Sequence, residues 1–421
     1  MNSQFDISVA RQKDSEDNLH LLRSEFYFPQ HLSQESIYFT GHSLGLQHKN
    51  SRLYLEQEFK DWSDMAVDGH FRARTPWLNY HKSLSQLSSV IIGAKHNEVV
   101  TMNGLTVNLH LLLTSFYQPS GNKYKILCEP HLFPSDLYVL RSQIELRGYN
   151  PDESIVFLPA DSNGVVIEDD IYNTIESHRD ELALVFLGAV NYYTGQVFDV
   201  KKITQHAHQH SILAGFDLAH AAGNIQLKLH EWNVDFAAFC SYKYLNSGPG
   251  NVSTVFIHTN QIKQKPFRLS GWWGHDEETR FLLQNKFQPI NTAEGWQLSN
   301  APIFGMSVYR SSLELFNRVG MSSLCEKRIK LNKYLEQAIS YFNEQSDKVK
   351  LTIITPGQAH SRGAQLSVSI SHDAKNIFNK LRNHGVYVDW RPPNIMRLSA
   401  VPLYNSYEDI AKFINVLIKC T

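Results

Sequence analysis

The chain has 421 residues, of which 42% are hydrophobic and 19% are charged, and its formal net charge is -1. This composition is ordinary for a globular protein of two or three domains, and the near-zero charge argues against nucleic acid or an anionic membrane as a partner. The four cysteines are scattered, no apolar run could span a bilayer, and neither a secretory signal nor an HExxH metal motif is present. We therefore expect a soluble cytoplasmic protein without a metal ion.

The N-terminal part of the sequence predicts short elements separated by polar turns. A polar arm and a helix lead to a strand over residues 36–40, which is followed by the turn 41–45. Apolar residues at helical spacing predict an amphipathic helix over residues 49–65. After a polar and aromatic loop, 67–72, the helical pattern resumes over residues 78–87.

The central part of the sequence alternates between apolar runs and helical patterns. Helices are predicted over residues 106–117 and 137–146, and residues 191–195 are expected to end a strand. The other predicted strands are residues 98–102, 124–129, 155–158, 182–187, 212–216, 236–240 and 251–258. Strands separated by helices in this way favour βαβ units and a doubly wound, mostly parallel sheet.

The C-terminal part predicts a smaller α+β unit. A long helical pattern over residues 303–345 is interrupted near Gly320. The expected strands are residues 350–355, 365–370, 386–390 and 396–400, and the expected helices are residues 374–384 and 407–418. We predict three regions: an N-terminal arm with part of the small domain (1–60), a large domain (61–305) and a C-terminal small domain (306–421).

Two polar residues follow neighbouring buried strands of the predicted sheet. Asp217 directly follows the run 212–216, and Lys243 follows the run 236–240. Open α/β sheets bind ligands at the carboxyl ends of their strands. A pyridoxal phosphate (PLP) site needs a lysine that forms a Schiff base and a carboxylate that keeps the pyridine nitrogen protonated. The pair therefore suggests PLP, although each residue alone is better explained as a helix cap or a surface lysine.

Other positions suggest ligand contacts and also have ordinary structural explanations. Thr106 begins a helix, where backbone N–H groups would suit a phosphate, but taken locally an ordinary capping threonine is the better explanation. Trp272 and its neighbour Trp273 lie between glycines and favour packing or binding about equally. Arg397 lies within a predicted apolar strand and therefore needs a partner, for which a fixed carboxylate is the natural choice.

Nine segments in the same order give the sequence its resemblance to a known family: GHSLGLQ, NGLTVNLH, FPSD, NYYTGQ, FDLAHAAGN, SYKYLNSGPG, GWWGH, LSNAPI and RLSAVPLYNS. From about Tyr38 to its end the chain resembles the kynureninases, PLP enzymes of the aminotransferase superfamily. The resemblance implies fold type I, with a large domain built on a mostly parallel sheet and a smaller α+β domain. It also implies hydrolysis of the Cβ–Cγ bond of L-kynurenine, or of 3-hydroxy-L-kynurenine, to anthranilate or 3-hydroxyanthranilate and L-alanine.

The resemblance assigns a role to each matching residue. Lys243 would bind PLP and move the substrate's α-proton, Asp217 would pair with the pyridine nitrogen, and Tyr242 would assist as an acid–base group. The other residues expected around the cofactor are Leu105, Thr106, Phe133, Pro134, Ser135, Asp136, His220, Trp272 and Asn300. Those expected around the substrate are Arg397, His70, His275, Ser299 and Asn300. Because Trp272 and Asn300 match positions that reach a neighbouring subunit's site, the resemblance implies a homodimer.

Two residues depart from the family's usual pattern. His42 stands where an asparagine is usual, which puts one loop contact in doubt. Gly188 stands where serine or threonine is common, and the lost hydroxyl is expected to loosen cofactor binding. The alternatives are another fold type I enzyme, either cysteine desulfurase-like or aminotransferase-like, and a non-catalytic relative. A desulfurase needs a mobile nucleophilic thiol, and none of the cysteines is well placed for that role.

Overall fold

The structure, a computed structural model, describes residues 4–421. Its helices are α1 Ile7–Ser15, α2 Ser51–Met65, α3 Gly69–Arg72, α4 Tyr80–Ile92, α5 Leu105–Phe116, α6 Pro134–Leu146, α7 Pro151–Ser154, α8 Glu168–Ser177, α9 Val200–Gln209, α10 Thr259–Lys263, α11 Ile303–Val319, α12 Met321–Gln345, α13 Ala374–Asn383 and α14 Tyr407–Cys420. Its strands are β1 Gln30–His31, β2 Gln34–Glu35, β3 Ile37–Tyr38, β4 Val99–Met102, β5 Lys125–Cys128, β6 Ile155–Phe157, β7 Leu182–Gly188, β8 Leu213–Asp217, β9 Phe236–Cys240, β10 Ser253–Ile257, β11 Leu351–Ile353, β12 Gln365–Ile370, β13 Val386–Tyr387, β14 Asp389–Arg391 and β15 Ile395–Ser399.

A seven-stranded sheet forms the centre of the larger unit, with the strand order β4-β10-β9-β8-β7-β5-β6. The strands from β9 to β6 in this order are parallel, whereas β10 runs antiparallel to both of its neighbours. All five residues of β9 are buried, as expected for a strand covered by helices on both faces. The predicted mostly parallel sheet is therefore confirmed.

Helices cover this sheet with apolar faces. The buried face of α5 carries Leu109, Leu112, Leu113 and Phe116, and the ring of Phe116 stacks on Phe236 of β9. The residue that caps the end of α4 is Gly93, whose positive φ of 63° favours glycine. A Cβ at this position would also lie 2.5 Å from the Leu227 carbonyl oxygen, so close packing adds to the requirement for glycine.

A smaller antiparallel sheet, in the order β11-β12-β15-β14, forms the second unit. Its apolar core is continuous with the buried faces of α12 and α14. Gly320, with a φ of 82°, separates α11 from α12 at the predicted interruption. This arrangement confirms the α+β character predicted for the C-terminal part. The domain bounds 1–60, 61–305 and 306–421 stay a prediction.

Two predicted strands differ from the observed elements. Residues 386–390 were expected to form one strand, but they divide because β13 pairs in parallel with β3 while β14 pairs with β15. Residues 191–195 form a turn instead of a strand end, because the Asn191 side-chain oxygen accepts hydrogen bonds from the backbone N–H groups of Tyr193 and Thr194. Within residues 4–421, no helix combines the length and hydrophobicity needed to cross a bilayer.

Candidate active site

Asp217 and Lys243 line the same cavity, which has a volume of about 440 Å³. Asp217 is the last residue of β8, and Lys243 follows the end of the neighbouring parallel strand β9. The backbone N–H of Ala219 donates a hydrogen bond of 2.7 Å to Asp217 Oδ1 and fixes the carboxylate. An acid and an amine thus lie at the carboxyl edge of the sheet, where open α/β folds bind their ligands.

Two further acidic residues are buried beside Asp217. Burial raises the pKa of Asp136 well above its usual range, and the neighbouring Asp217 raises it further. Burial also raises the pKa of Asp217, but the Lys243 ammonium, the Asp136 hydrogen bond and the Ala219 N–H oppose this rise. Burial raises the pKa of Glu129 to about 8. The pattern favours a protonated Asp136 that donates to an ionised Asp217.

The start of two helices forms one end of the cavity. Thr106 in the first turn of α5 and Ser135 in the first turn of α6 bring their hydroxyl oxygens within 2.8 Å of each other. A Cβ at Gly104, the residue before α5, would meet no atom within 4 Å. Free backbone N–H groups, two hydroxyls and open space beside a helix N-terminus suit a phosphate group.

Aromatic and imidazole rings surround Lys243. Its Nζ lies 5.7 Å from the centroid of the Phe133 ring, and that ring packs edge-on against Tyr192. The buried His220 has no hydrogen-bond partner at Nδ1 among the described residues. Burial, followed by the charges of Lys243 and Arg397, lowers the pKa of His220 well below its usual range, so the ring is neutral. A planar ligand could stack against Phe133 and His220 here.

Arg397 also lines the cavity and is only 2% exposed. Its Nε donates a hydrogen bond of 2.8 Å to Asp389 Oδ1, and its Nη1 donates one of 2.7 Å to the Tyr192 carbonyl oxygen. Arg391 also donates to Asp389, at 3.0 Å, and lines the same cavity. With Nε and Nη1 engaged, the guanidinium plane is fixed, and Nη2 remains for a carboxylate ligand.

The cavity brings together most of the predicted site residues, namely Leu105, Thr106, Phe133, Ser135, Asp136, Asp217, His220, Tyr242, Lys243 and Arg397. Pro134 begins α6 between two of them. The remaining predicted residues lie outside the cavity of this chain, namely His70, Trp272, His275, Ser299 and Asn300.

Three of the residues outside the cavity make hydrogen bonds within their own segments of the chain. Trp272 Nε1 donates to the Arg280 carbonyl oxygen, and both ring nitrogens of His275 have partners in the segment 279–288. His70 Nδ1 lies 3.0 Å from the Val67 carbonyl oxygen. Ser299 and Asn300 are exposed. These five residues do not contribute to the Lys243 cavity of the same chain.

Sequence reasoning missed Glu129, Tyr192 and Arg391 as neighbours of this site. Arg391 follows the predicted strand 386–390 and lies six residues before Arg397, a spacing that could have suggested a second guanidinium. The departure His42 also lines the cavity, where its Nδ1 lies 2.9 Å from Ser399 Oγ. The departure Gly188 packs against Glu129, because a Cβ there would lie 3.0 Å from Glu129 Oε1.

Comparison with known proteins identifies the family. The family profile described as "Kynureninase C-terminal domain" matches residues 324–417. The chain is 48% identical to a kynureninase of Christiangramia forsetii over 97% of both chains. It is 47% identical to a kynureninase of Flavobacterium psychrophilum over 98% of this chain and 97% of that one. The chain belongs to the kynureninase family. It is therefore a PLP-dependent hydrolase with a small-molecule substrate.

Solved structures show the fold. An apo cysteine desulfurase from Thermococcus onnurineus has a TM-score of 0.78 at 18% identity, covering 94% of this chain and 96% of that one. A cysteine desulfurase from Escherichia coli has a TM-score of 0.75 at 14% identity, covering 96% of this chain and 98% of that one. At these identities the likeness establishes fold type I alone.

The residues of this kynureninase-family site fit PLP. The paired helix starts offer donors for a phosphate, Phe133 and His220 offer faces for a ring, and Asp217 offers a carboxylate for a pyridinium nitrogen. Lys243 lies among these groups and provides the amine. His220 Nδ1, which is buried without a partner in residues 4–421, is a polar atom that a bound ligand could satisfy.

Proposed function

We propose that this enzyme hydrolyses the Cβ–Cγ bond of L-kynurenine, 3-hydroxy-L-kynurenine, or both. The products would be anthranilate or 3-hydroxyanthranilate and L-alanine, within tryptophan catabolism and the supply of NAD precursors. The observation that carries the proposal is the convergence of Lys243, Asp217 and Arg397 on one cavity. These groups supply an amine, an anion and a carboxylate-binding cation, which a PLP enzyme acting on an amino acid requires.

The cofactor end of the cavity would hold PLP through Leu105, Thr106, Ser135 and Tyr242 at the phosphate and Phe133 at the ring. When bound, PLP supplies a protonated ring that stabilises negative charge developing on the substrate's α-carbon. Asp217 keeps that ring nitrogen protonated, because the Asp136 hydrogen bond, the Ala219 N–H and the Lys243 charge stabilise its ionised form. Lys243 would hold the cofactor through its amine and would take the substrate's α-proton.

The substrate end is organised by Arg397. Its guanidinium is buried and fixed by Asp389 and the Tyr192 carbonyl, so it binds the α-carboxylate in one orientation. Lys243 lines the same cavity as Arg397, so its amine is available to take the α-proton of an amino acid held there.

Tyr242 is the group proposed to hold and donate a proton during bond cleavage. Burial raises the pKa of the Tyr242 phenol, and the neighbouring Cys240 raises it further, so Tyr242 stays protonated at neutral pH. A protonated hydroxyl next to Lys243 can donate a hydrogen bond to the substrate's γ-carbonyl oxygen as water adds to the γ-carbon. It can then protonate the carbon that leaves as the methyl group of alanine.

We propose a homodimer in which His70, Trp272, His275, Ser299 and Asn300 reach the cavity of the neighbouring subunit. Support comes from a second cleft of about 880 Å³, lined largely by apolar residues, which shares Gly250 and Asn251 with the Lys243 cavity. Next to it, Phe59 stacks on Phe304 at 4.7 Å, and both rings are exposed. An exposed apolar cleft beside the site is suited to burial by a second copy.

The homodimer proposal has a direct test in mixed subunits. A Lys243→Ala chain and a Trp272→Ala chain, each inactive as a homodimer, should regain part of the activity when refolded together. The hybrid would contain one site with both residues intact. Lack of recovery, or a monomer in light scattering, would contradict shared sites.

The proposed reaction is tested by incubating the PLP-loaded enzyme with each substrate and measuring alanine and the aromatic amine. Equal amounts of both products are expected. Lys243→Ala should lose the absorbance of lysine-bound PLP and nearly all turnover, whereas Lys228→Ala, an exposed control, should keep both. Release of an oxo acid instead of alanine would indicate an aminotransferase.

The fold neighbours make cysteine desulfuration the second candidate. None of the four cysteines lines the Lys243 cavity, and Cys128, Cys240 and Cys420 are buried. Burial raises the pKa of Cys240, which opposes a thiolate nucleophile. Sulfide release from cysteine at a rate comparable to kynurenine cleavage would favour this alternative.

We further propose that the enzyme acts in the cytoplasm. All four cysteines are free thiols, which is typical of proteins in a reducing compartment.

The large domain, proposed as residues 61–305, would hold the cofactor, and residues 306–421 would contribute Arg397.

A further inference from the structure

A group of metal-binding side chains lies on the packed pair of helices α8 and α9, away from the Lys243 cavity. His206 is in the last turns of α9, and His210 directly follows that helix. The two histidines are four positions apart, so both rings project from the same face. Glu176, near the end of α8, faces them across the helix pair. None of the three residues lines the Lys243 cavity.

The donor atoms of this cluster are close together and incompletely satisfied. His210 Nε2 lies 2.8 Å from Glu176 Oε2. His206 Nε2 is buried and has no hydrogen-bond partner in the part of the chain that is described. One donor atom from each of the three residues lies within 4.8 Å of the others. Burying an imidazole nitrogen without a partner is costly, so a ligand that engaged it would stabilise this surface.

We propose that His206, His210 and Glu176 form a binding site for a divalent transition-metal ion of the zinc type. Two imidazole nitrogens and one carboxylate oxygen, with a water molecule as a fourth ligand, are a donor set that Zn²⁺ accepts. With bonds of about 2.0–2.2 Å, the donors of a tetrahedral site lie about 3.5 Å apart, so His210 Nε2 and Glu176 Oε2, now 2.8 Å apart, must separate slightly. Rotation of the half-exposed Glu176 side chain provides this adjustment.

Ion binding would also rearrange one proton. In neutral His210 the Nε2–H donates to Glu176, and this proton moves to Nδ1 when Nε2 binds the ion. Glu176 Oε1 keeps its ion pair with Arg179, so Oε2 is the carboxylate atom left for the ion. Sequence analysis did not single out this pair, because the intervening Ala-His-Gln lacks the glutamate of HExxH.

A second cluster, Glu98 with His230 and His258, is less suited to an ion. Its carboxylate oxygens already accept hydrogen bonds from Lys95, Thr259 and His230. His258 Nδ1 accepts the Asn260 N–H, which leaves the proton of the neutral ring on Nε2 instead of a lone pair. An ion there would have to break contacts that the Glu176 cluster does not make.

The test is isothermal titration of untagged, PLP-loaded enzyme with ZnCl₂, supported by the absorbance of bound Co²⁺. One ion per chain should bind, and saturating Zn²⁺ should raise the unfolding temperature by a few degrees. His206→Ala, His210→Ala and the near-isosteric His210→Gln should each weaken binding at least about tenfold, since each removes one ligand. His178→Ala is the matched control, because His178 pairs with Glu181 on the same surface.

The outcomes separate the cluster from other sites. Kynurenine cleavage should be unchanged by the three variants, because the cluster is outside the catalytic cavity. Undetectable Zn²⁺ binding, or binding that persists in His206→Ala and His210→Gln but is lost in His230→Ala, would overturn the proposal.

Discussion

Replacement of Gly188 by serine tests the packing beneath the cofactor. The family resemblance suggests that the missing hydroxyl loosens PLP binding, so restoring it should tighten binding. The structure predicts the opposite. A Cβ at position 188 would lie 3.0 Å from Glu129 Oε1, while Glu129 Oε2 already accepts the Gly188 N–H at 2.6 Å and Oε1 accepts from Asn191 at 3.2 Å. The carboxylate therefore has little freedom to retreat.

Overpacking of this kind costs about 1–3 kcal/mol, and a required shift of only a few tenths of an ångström suggests the lower half of that range. Gly188 lines a small cavity with Asp217 and Lys243, so the strain falls where the ring would bind. We expect Gly188→Ser to weaken PLP binding about tenfold, which corresponds to about 1.4 kcal/mol. Equilibrium dialysis followed by absorbance measures this directly.

Two controls separate this contact from a general effect of serine. Gly357→Ser should change nothing, because a Cβ there would meet no atom within 4 Å. In a Glu129→Ala background the opposing carboxylate oxygen is gone. The loss of PLP-binding free energy caused by Gly188→Ser should therefore be less than half as large. Tighter PLP binding in Gly188→Ser with unchanged thermal stability would refute the packing argument.

Three other substitutions have distinct expected results. Asp217→Asn should lower kcat by about 100-fold or more, because losing a buried charge-assisted contact costs about 2–5 kcal/mol. Steady-state kinetics of the PLP-loaded variant would measure this loss of kcat. Arg397→Gln should raise KM about 100-fold for the same physical reason, with a smaller effect on kcat, and an unchanged KM would remove Arg397 from carboxylate binding. The hydrogen bond to Asp235 raises the pKa of His208 in the folded protein. This contact stabilises the fold fully when the pH is below the pKa that the ring has in the unfolded chain. The stabilisation is lost as the pH rises through the raised pKa of the folded state. His208→Gln should therefore lower the free energy of unfolding more at about pH 5 than at about pH 9, as urea titrations would measure.

The larger sheet was predictable because each of its buried strands is a short apolar run. β8 and β9 illustrate this, since their apolar residues also predict where the polar Asp217 and Lys243 emerge. The sequence could not predict that β10 would lie antiparallel between β4 and β9, because strand order depends on contacts between distant segments.

The candidate site was predictable where a residue follows a strand or begins a helix. Glu129 was missed because its importance depends on Gly188, which lies 59 residues further along the chain. Arg391 was missed because its place beside Lys243 depends on how distant segments pack around the cavity. The division of residues 386–390 was also missed, because one apolar run pairs with two different sheets. The proposed roles of loop residues such as Trp272 depend on a second chain, which no pattern within one sequence can position.

The shared partner of the two arginines has a consequence for substrate choice. Arg391 and Arg397 both donate to Asp389, so two cations and one anion leave a single unit of uncompensated positive charge in the cavity wall. One carboxylate neutralises the excess charge of the arginine pair, whereas a second would find no further cation within that pair. We therefore expect dicarboxylic amino acids to bind more weakly than monocarboxylic ones.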